Sequence, residues 1–226
     1  MDAMFGFVLL LVFGAVAWCV ASEGAWGAVL HFFCVLFAGL LAMNFFEVVA
    51  PALEGMGRTV APFADFVALV GLFSLFVFLF RLGTEHLAPT QIELDSRLYE
   101  VIRWVWAAAS GYLTMAILLT AMHTAPLPRE FMGFKPEARN FFDISAPDRQ
   151  WLGFTQWVSE NVLWSGRVFD APYAKVDGTT QQVWPSFPIR YATKRQDYAG
   201  GRRPKPPTSV SPAGGQQPAQ GGQSVF

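Results

Sequence analysis

His31 to Glu47 reads HFFCVLFAGLLAMNFFE, a run almost wholly apolar that still carries a histidine, a cysteine, an asparagine and a glutamate. Its reading decides the fold. Either the four polar groups converge on a ligand or proton site, or the run is a membrane helix that tolerates them. At about 100° per helical residue, His31, Cys34, Ala38 and Ala42 fall on one face, while Asn44 and Glu47 lie roughly opposite His31. The polar groups do not converge. His31 and Cys34 suit a narrow packing face, and Asn44 with Glu47 suit the exit from the membrane.

The surrounding chain supports a membrane helix. Of 226 residues, 53% are hydrophobic and only 15% charged, whereas soluble domains carry about a quarter charged residues. Four segments, at about residues 3–22, 24–46, 62–80 and 104–127, hold at most one charge each. Each is long enough to cross about 30 Å of hydrocarbon as a helix, the form in which a single span satisfies its own backbone groups. The first is expected to be a retained span rather than a cleaved signal, because Asp2 replaces the usual basic n-region. The short ASEGAW link makes spans one and two an antiparallel hairpin with Trp18 and Trp26 near one interface, and Trp104 and Trp106 open the fourth span similarly. Residues 1–128 thus form a four-helix transmembrane domain.

Thr90 and Glu93 form a capping box after Pro89, and Leu94, Leu98, Val101 and Val105 make a stripe that feeds into span four. Pro126 and Pro128 end that span. In the membrane-proximal region 129–195, an amphipathic helix is expected at about 147–164. Its face of Trp151, Phe154, Trp157, Val158 and Val162 suits a membrane interface or the side of a bundle. From about Gln196 to Phe226 the composition is Gly, Pro, Gln and Ser, which predicts a disordered tail. Residues 1–128 hold four Lys/Arg against nine Asp/Glu, and 129–226 hold twelve against eight. The basic tail favours cytoplasmic termini beside an anionic leaflet.

The fold class expected is therefore all-α integral membrane: four transmembrane helices, an amphipathic interfacial helix and a disordered C-terminal tail. Small pairs one turn apart, such as Ala38 with Ala42 and Ala107 with Gly111, allow close helix approach. Asp65 is an ionisable group within a span, yet it falls in the first turn after Pro62, where a capping role is expected. A metal centre needs three or four converging ligands. His86 is expected in a loop and His123 at the far end of another span, so neither metal nor cofactor is expected. Cys19 and Cys34 sit at mismatched depths and form no redox pair. Phosphate loops, nucleophile elbows, zincin helices and paired catalytic carboxylates are missing from the sequence, so no enzyme is expected. The expected surroundings are a lipid bilayer with a homo-oligomer or export-machinery partner, without nucleic acid or an identified small-molecule substrate.

Several blocks carry a family resemblance: EGAWGAVL at 23–30, NFFE at 44–47, LDSRLYEVIRWVWAAASG at 94–111, HTAPL at 123–127 and APDRQWLGF at 146–154. Together with FPIRYATKR at 187–195, they resemble the colicin V production (CvpA) family of bacterial inner-membrane proteins, in a branch with a long polar C-terminal tail. The departures are that Ser96 separates Asp95 from Arg97, Tyr99 and Glu100 stand where the family has glycines, and Ser110 with Gly111 replaces Arg-Gly. The resemblance implies an inner-membrane accessory role in toxin production, export or envelope maintenance. Two rivals remain open: a small oligomeric channel or proton-coupled transporter, and an anchor whose tail recruits a cytosolic partner. The candidate functional residues are Asp65, His31, Asn44, Asp95, Arg97 and His123.

Overall fold

The computed structural model describes residues 2–55, 57, 61–87, 95–127, 134, 139–142, 144–162, 174–176, 179–181 and 187–199. The helices are α1 (Asp2–Ala21), α2 (Gly24–Glu54), α3 (Ala64–Leu87, preceded by a 3-10 turn at Ala61–Phe63), α4 (Ser96–Thr124), α5 (Pro147–Asn161) and α6 (Phe187–Ala199). Strands β1 (Ala174–Val176) and β2 (Thr179–Gln181) pair antiparallel, with Ala174 opposite Gln181. Helices α1 to α4 are long and apolar enough to cross a membrane, which makes this a multi-pass membrane protein. The Thr90–Glu93 capping box, Pro128 and the tail from Gly200 onward lie outside the described residues.

Two spans are longer than their apolar runs predict. Helix α2 continues past Phe46 to Glu54 with Pro51 inside it, and α3 continues past Phe80 to Leu87, so His86 lies in a helical last turn rather than a loop. At 1.5 Å rise per residue, α2 is about 46 Å long, more than the hydrocarbon thickness. A helix of that length either tilts or extends past the hydrocarbon.

The tight turn between α1 and α2 depends on Gly24. Its φ is +88°, a left-handed conformation that disfavours a side chain, and a Cβ there would lie 2.6 Å from the Tyr99 hydroxyl. The hairpin brings Trp18 to 6.1 Å from Trp104 between ring centroids, with the Arg103 guanidinium over Trp104. Aromatic residues from two spans thus share one end of the bundle.

Helix α2 packs most extensively on α3 and next on α4, and α4 in turn carries α1. The main core follows that order. Val35, Ala38, Ala42 and Phe46 of α2 meet Leu69 and Phe73 of α3 and Ala116 and Ile117 of α4. A second cluster joins Phe5 and Leu9 of α1 to Met115 and Leu119 of α4 around the buried Phe134. Phe7, Leu11, Phe37 and Phe78 face outward, as lipid contact requires.

Helix α5 packs on the bundle. Trp151 and Val158 are buried, whereas Trp157 and Val162 are exposed. The Trp151 ring reaches Gly39, where an added Cβ would lie 2.8 Å from it and 2.6 Å from Ile117 Cδ1. Gly39 is the middle residue of α2. The glycine lets an indole enter between α2 and α4 at the middle of α2.

Helix α6 corrects the expected boundary of the tail. Gln196 to Ala199 belong to it, and Pro188 in its first turn lacks a donor only where helices leave donors unpaired anyway.

Candidate functional site

The helices place two polar sites near the end of the bundle where α4 finishes. The first lies between α4 and α5. Buried hydroxyls in this region bond back to their own helices: Thr120 Oγ1 to the Ala116 carbonyl at 2.9 Å, and Thr155 Oγ1 to that of Leu152 at 2.8 Å. Such back-bonding makes a hydroxyl tolerable in an apolar interior. His123 and Asp148 instead reach across. His123 Nε2 and Asp148 Oδ2 share a hydrogen bond at 2.8 Å, and both side chains are 0% exposed. The Phe134 ring stands edge-on to the imidazole at 5.2 Å. His123 Nδ1 and Asp148 Oδ1 have no hydrogen-bond partner among the described residues. Nearby, the Tyr112 hydroxyl lies 3.0 Å from Ser145 Oγ and donates to Gln150 Oε1, fixing the entry into α5.

The second site is a clasp made by α6. Arg190 Nη1 lies 2.8 Å from Glu47 Oε1, and Lys194 Nζ lies 2.9 Å from Glu54 Oε1 and 2.5 Å from Asp65 Oδ2. Asp65 is in the first turn of α3, as the sequence places it, but its carboxylate meets a lysine 129 positions away. Burial alone would lower the Lys194 ammonium, yet the Asp65 and Glu54 carboxylates outweigh it and raise the group above its ordinary value. A raised lysine contributes its stabilisation fully below the unfolded value and loses it only as pH rises through the folded one. The clasp therefore stays charged on its basic side across neutral pH. Burial pushes the Tyr191 phenol well up, with Asp65 and Glu47 adding to it, so that ring also stays neutral.

The remaining candidates fall elsewhere. His31 is half-buried on α2, with Nδ1 unpartnered among the described residues. One turn further on, Cys34 Sγ lies 4.0 Å from Thr84 Oγ1 of α3. Their face thus meets a polar turn of α3 as well as small residues. Arg81, in that turn, lies 2.8 Å from Glu23 Oε2 without hydrogen-bond alignment, and 3.3 Å from Glu85 Oε1. Burial raises the Glu23 carboxyl, while Arg81 pulls it back. With both side chains about a quarter exposed, Glu23→Gln is expected to change thermal stability by less than about 0.5 kcal/mol near neutral pH, measurable by circular dichroism in detergent. Asn44 is half-buried, and its side chain makes no hydrogen bond among the described residues. Asp95 precedes α4 without a side-chain cap bond, and Asp95 and Arg97 are both exposed. The six candidates therefore do not form one site. Asp65 joins the clasp, His123 joins the α4–α5 pair, and the others stay apart.

The sequence reading missed Lys194, Arg190, Glu47 and Glu54 as partners, and Asp148 as the partner of His123. A signal for the clasp exists in Phe187, Arg190, Tyr191 and Lys194, spaced as one helical stripe. For Asp148 the sequence offers a helix-start acid and nothing that points to His123.

Among the described residues no three His, Cys, Asp or Glu side chains stand close enough to hold a metal ion. Cys19 and Cys34 are both free thiols, one exposed and one buried. The class defined by the fold is a multi-pass helical membrane protein with a re-packed C-terminal segment. No family model, curated protein or solved structure matches the chain.

Proposed function

We propose that this chain is a non-enzymatic protein of the bacterial cytoplasmic membrane, similar to the CvpA family, acting as an accessory factor in toxin production, export or envelope maintenance. One observation carries the reading: ionisable groups at the α4 end of the spans hold the chain's own C-terminal helices in place. His123 is taken up by Asp148 of α5, and Asp65 by Lys194 of α6. A scaffold spends its polar groups in this way, whereas a transport path keeps them open to water or substrate. Deleting the chain from a bacterial host should reduce secretion of small peptide toxins or sensitise the cell to detergents, and re-expression should restore it. A deletion strain indistinguishable from its parent on both counts would sink the proposal.

A second reading, a proton-coupled path, draws on His123 Nδ1 and Asp148 Oδ1, which have no partner among the described residues. Purified protein in liposomes distinguishes the two. For a scaffold, proton leak should match protein-free vesicles, and His123→Ala and Asp65→Asn should change nothing. A leak abolished by either substitution favours transport.

A further inference from the structure

Phe187, Arg190, Tyr191 and Lys194 occur at i, i+3, i+4 and i+7, so one stripe of α6 holds two aromatic rings and two cations. That stripe makes the contact with α2. The Phe187 and Tyr191 rings lie 6.2 and 6.3 Å from the Phe46 ring, and the two cations take Glu47, Glu54 and Asp65. Two of the three ion pairs are open to solvent on both sides: the side chains of Arg190 and Lys194 are 18% and 24% exposed, and those of Glu47 and Glu54 are 30% and 36% exposed, whereas Asp65 is 6% exposed. Water and salt reach pairs of this kind and weaken them.

We propose that α6 is a releasable clasp whose basic, aromatic stripe exchanges the bundle carboxylates for the phosphate headgroups of an anionic membrane surface. Aromatic rings beside lysine and arginine on one face of a short helix are the composition that seats a helix at a headgroup boundary. The stripe is docked on α2 at Phe46, Glu47 and Glu54, where the apolar run of that helix gives way to carboxylates, the kind of place at which a span meets headgroups. One face cannot serve both partners. The closed form satisfies the cations with carboxylates, and the open form satisfies them with lipid phosphate and bares Phe46 with its acidic rim. Arg195, Arg202, Arg203 and Lys205, nearby in the sequence, add to the attraction of this end of the chain for an anionic leaflet.

The test uses the full chain with Cys19 and Cys34 replaced by Ser, and spin labels on Val48→Cys and Ala192→Cys. The label pair is measured by pulsed electron paramagnetic resonance in vesicles of phosphatidylcholine alone and of an equal mixture with phosphatidylglycerol. In neutral vesicles one short distance should dominate. In anionic vesicles the ratio of open to closed forms should rise about thirtyfold, the scale expected when two cations move to a charged surface. Glu47→Gln with Glu54→Gln should open the clasp in neutral vesicles while helix content stays unchanged. A short distance that persists equally in both lipids, or one absent from both, overturns the proposal. So does a double glutamine variant that stays closed.

Discussion

Asp148→Leu should lower the stability of the folded bundle by about 3 kcal/mol, read from thermal or denaturant unfolding in detergent micelles. The size follows from burial. Both His123 and Asp148 are fully enclosed, and the bond between them spans two helices. Removing the carboxylate leaves an imidazole whose Nε2 has lost its partner and whose Nδ1 already lacks one among the described residues. At 0% exposure the imidazole is out of reach of bulk water. The double replacement His123→Leu with Asp148→Leu should recover most of the loss, because two apolar side chains need no polar partner. Equal destabilisation by the single and the double variant would show that the cost comes from packing around Phe134 and not from the stranded histidine. A single variant as stable as the parent would mean that the pair does not hold α5 on α4.

The second large effect is expected at Gly111. An added Cβ would stand 2.7 Å from the backbone oxygen of Phe13 and 3.4 Å from the Ala17 methyl. A side-chain neighbour could rotate away, but a helix carbonyl cannot, so α1 must move off α4. Gly111→Val should therefore cost about 3 kcal/mol or more, at the upper end for overpacking. The loss of close approach also weakens the seam between spans one and four, which in lipid rests on packing and not on a hydrophobic drive. Gly71→Ala is the control, since an added Cβ there meets nothing within 4 Å and alanine favours the helix. Unfolding midpoints of the two variants should move in opposite directions, and a neutral Gly111→Val would contradict the close α1–α4 contact.

Gly111 also shows what could be read in advance. Its pairing with Ala107 marks a face fit for close contact, because small residues one turn apart are visible in any apolar span. Which helix fills that face is not visible. The α1 backbone does, and the neighbouring Ser110 settles its hydroxyl on Trp106 of its own helix. Asp65 gives the same lesson at a charged position. Its place in the first turn of α3 follows from Pro62 and the apolar run, and capping is the local role such a place suggests. The structure gives its carboxylate to Lys194, because α6 folds back over the ends of α2 and α3. Helix α6 itself escaped notice since a 13-residue polar segment has no long apolar run to announce it, and its stripe gains meaning only beside Phe46.

By itself the sequence determined the four spans, the tight α1–α2 hairpin and the existence of α5. Those features depend on each segment's own balance with lipid and water, a local property summed over about 20 residues. The tertiary structure alone decided that α5 buries Trp151 at the middle of α2, that His123 closes on Asp148, and that α6 clasps Glu47, Glu54 and Asp65. Those contacts join residues far apart in the chain, and a charge or indole has no preferred partner until packing brings two surfaces together and removes the water between them.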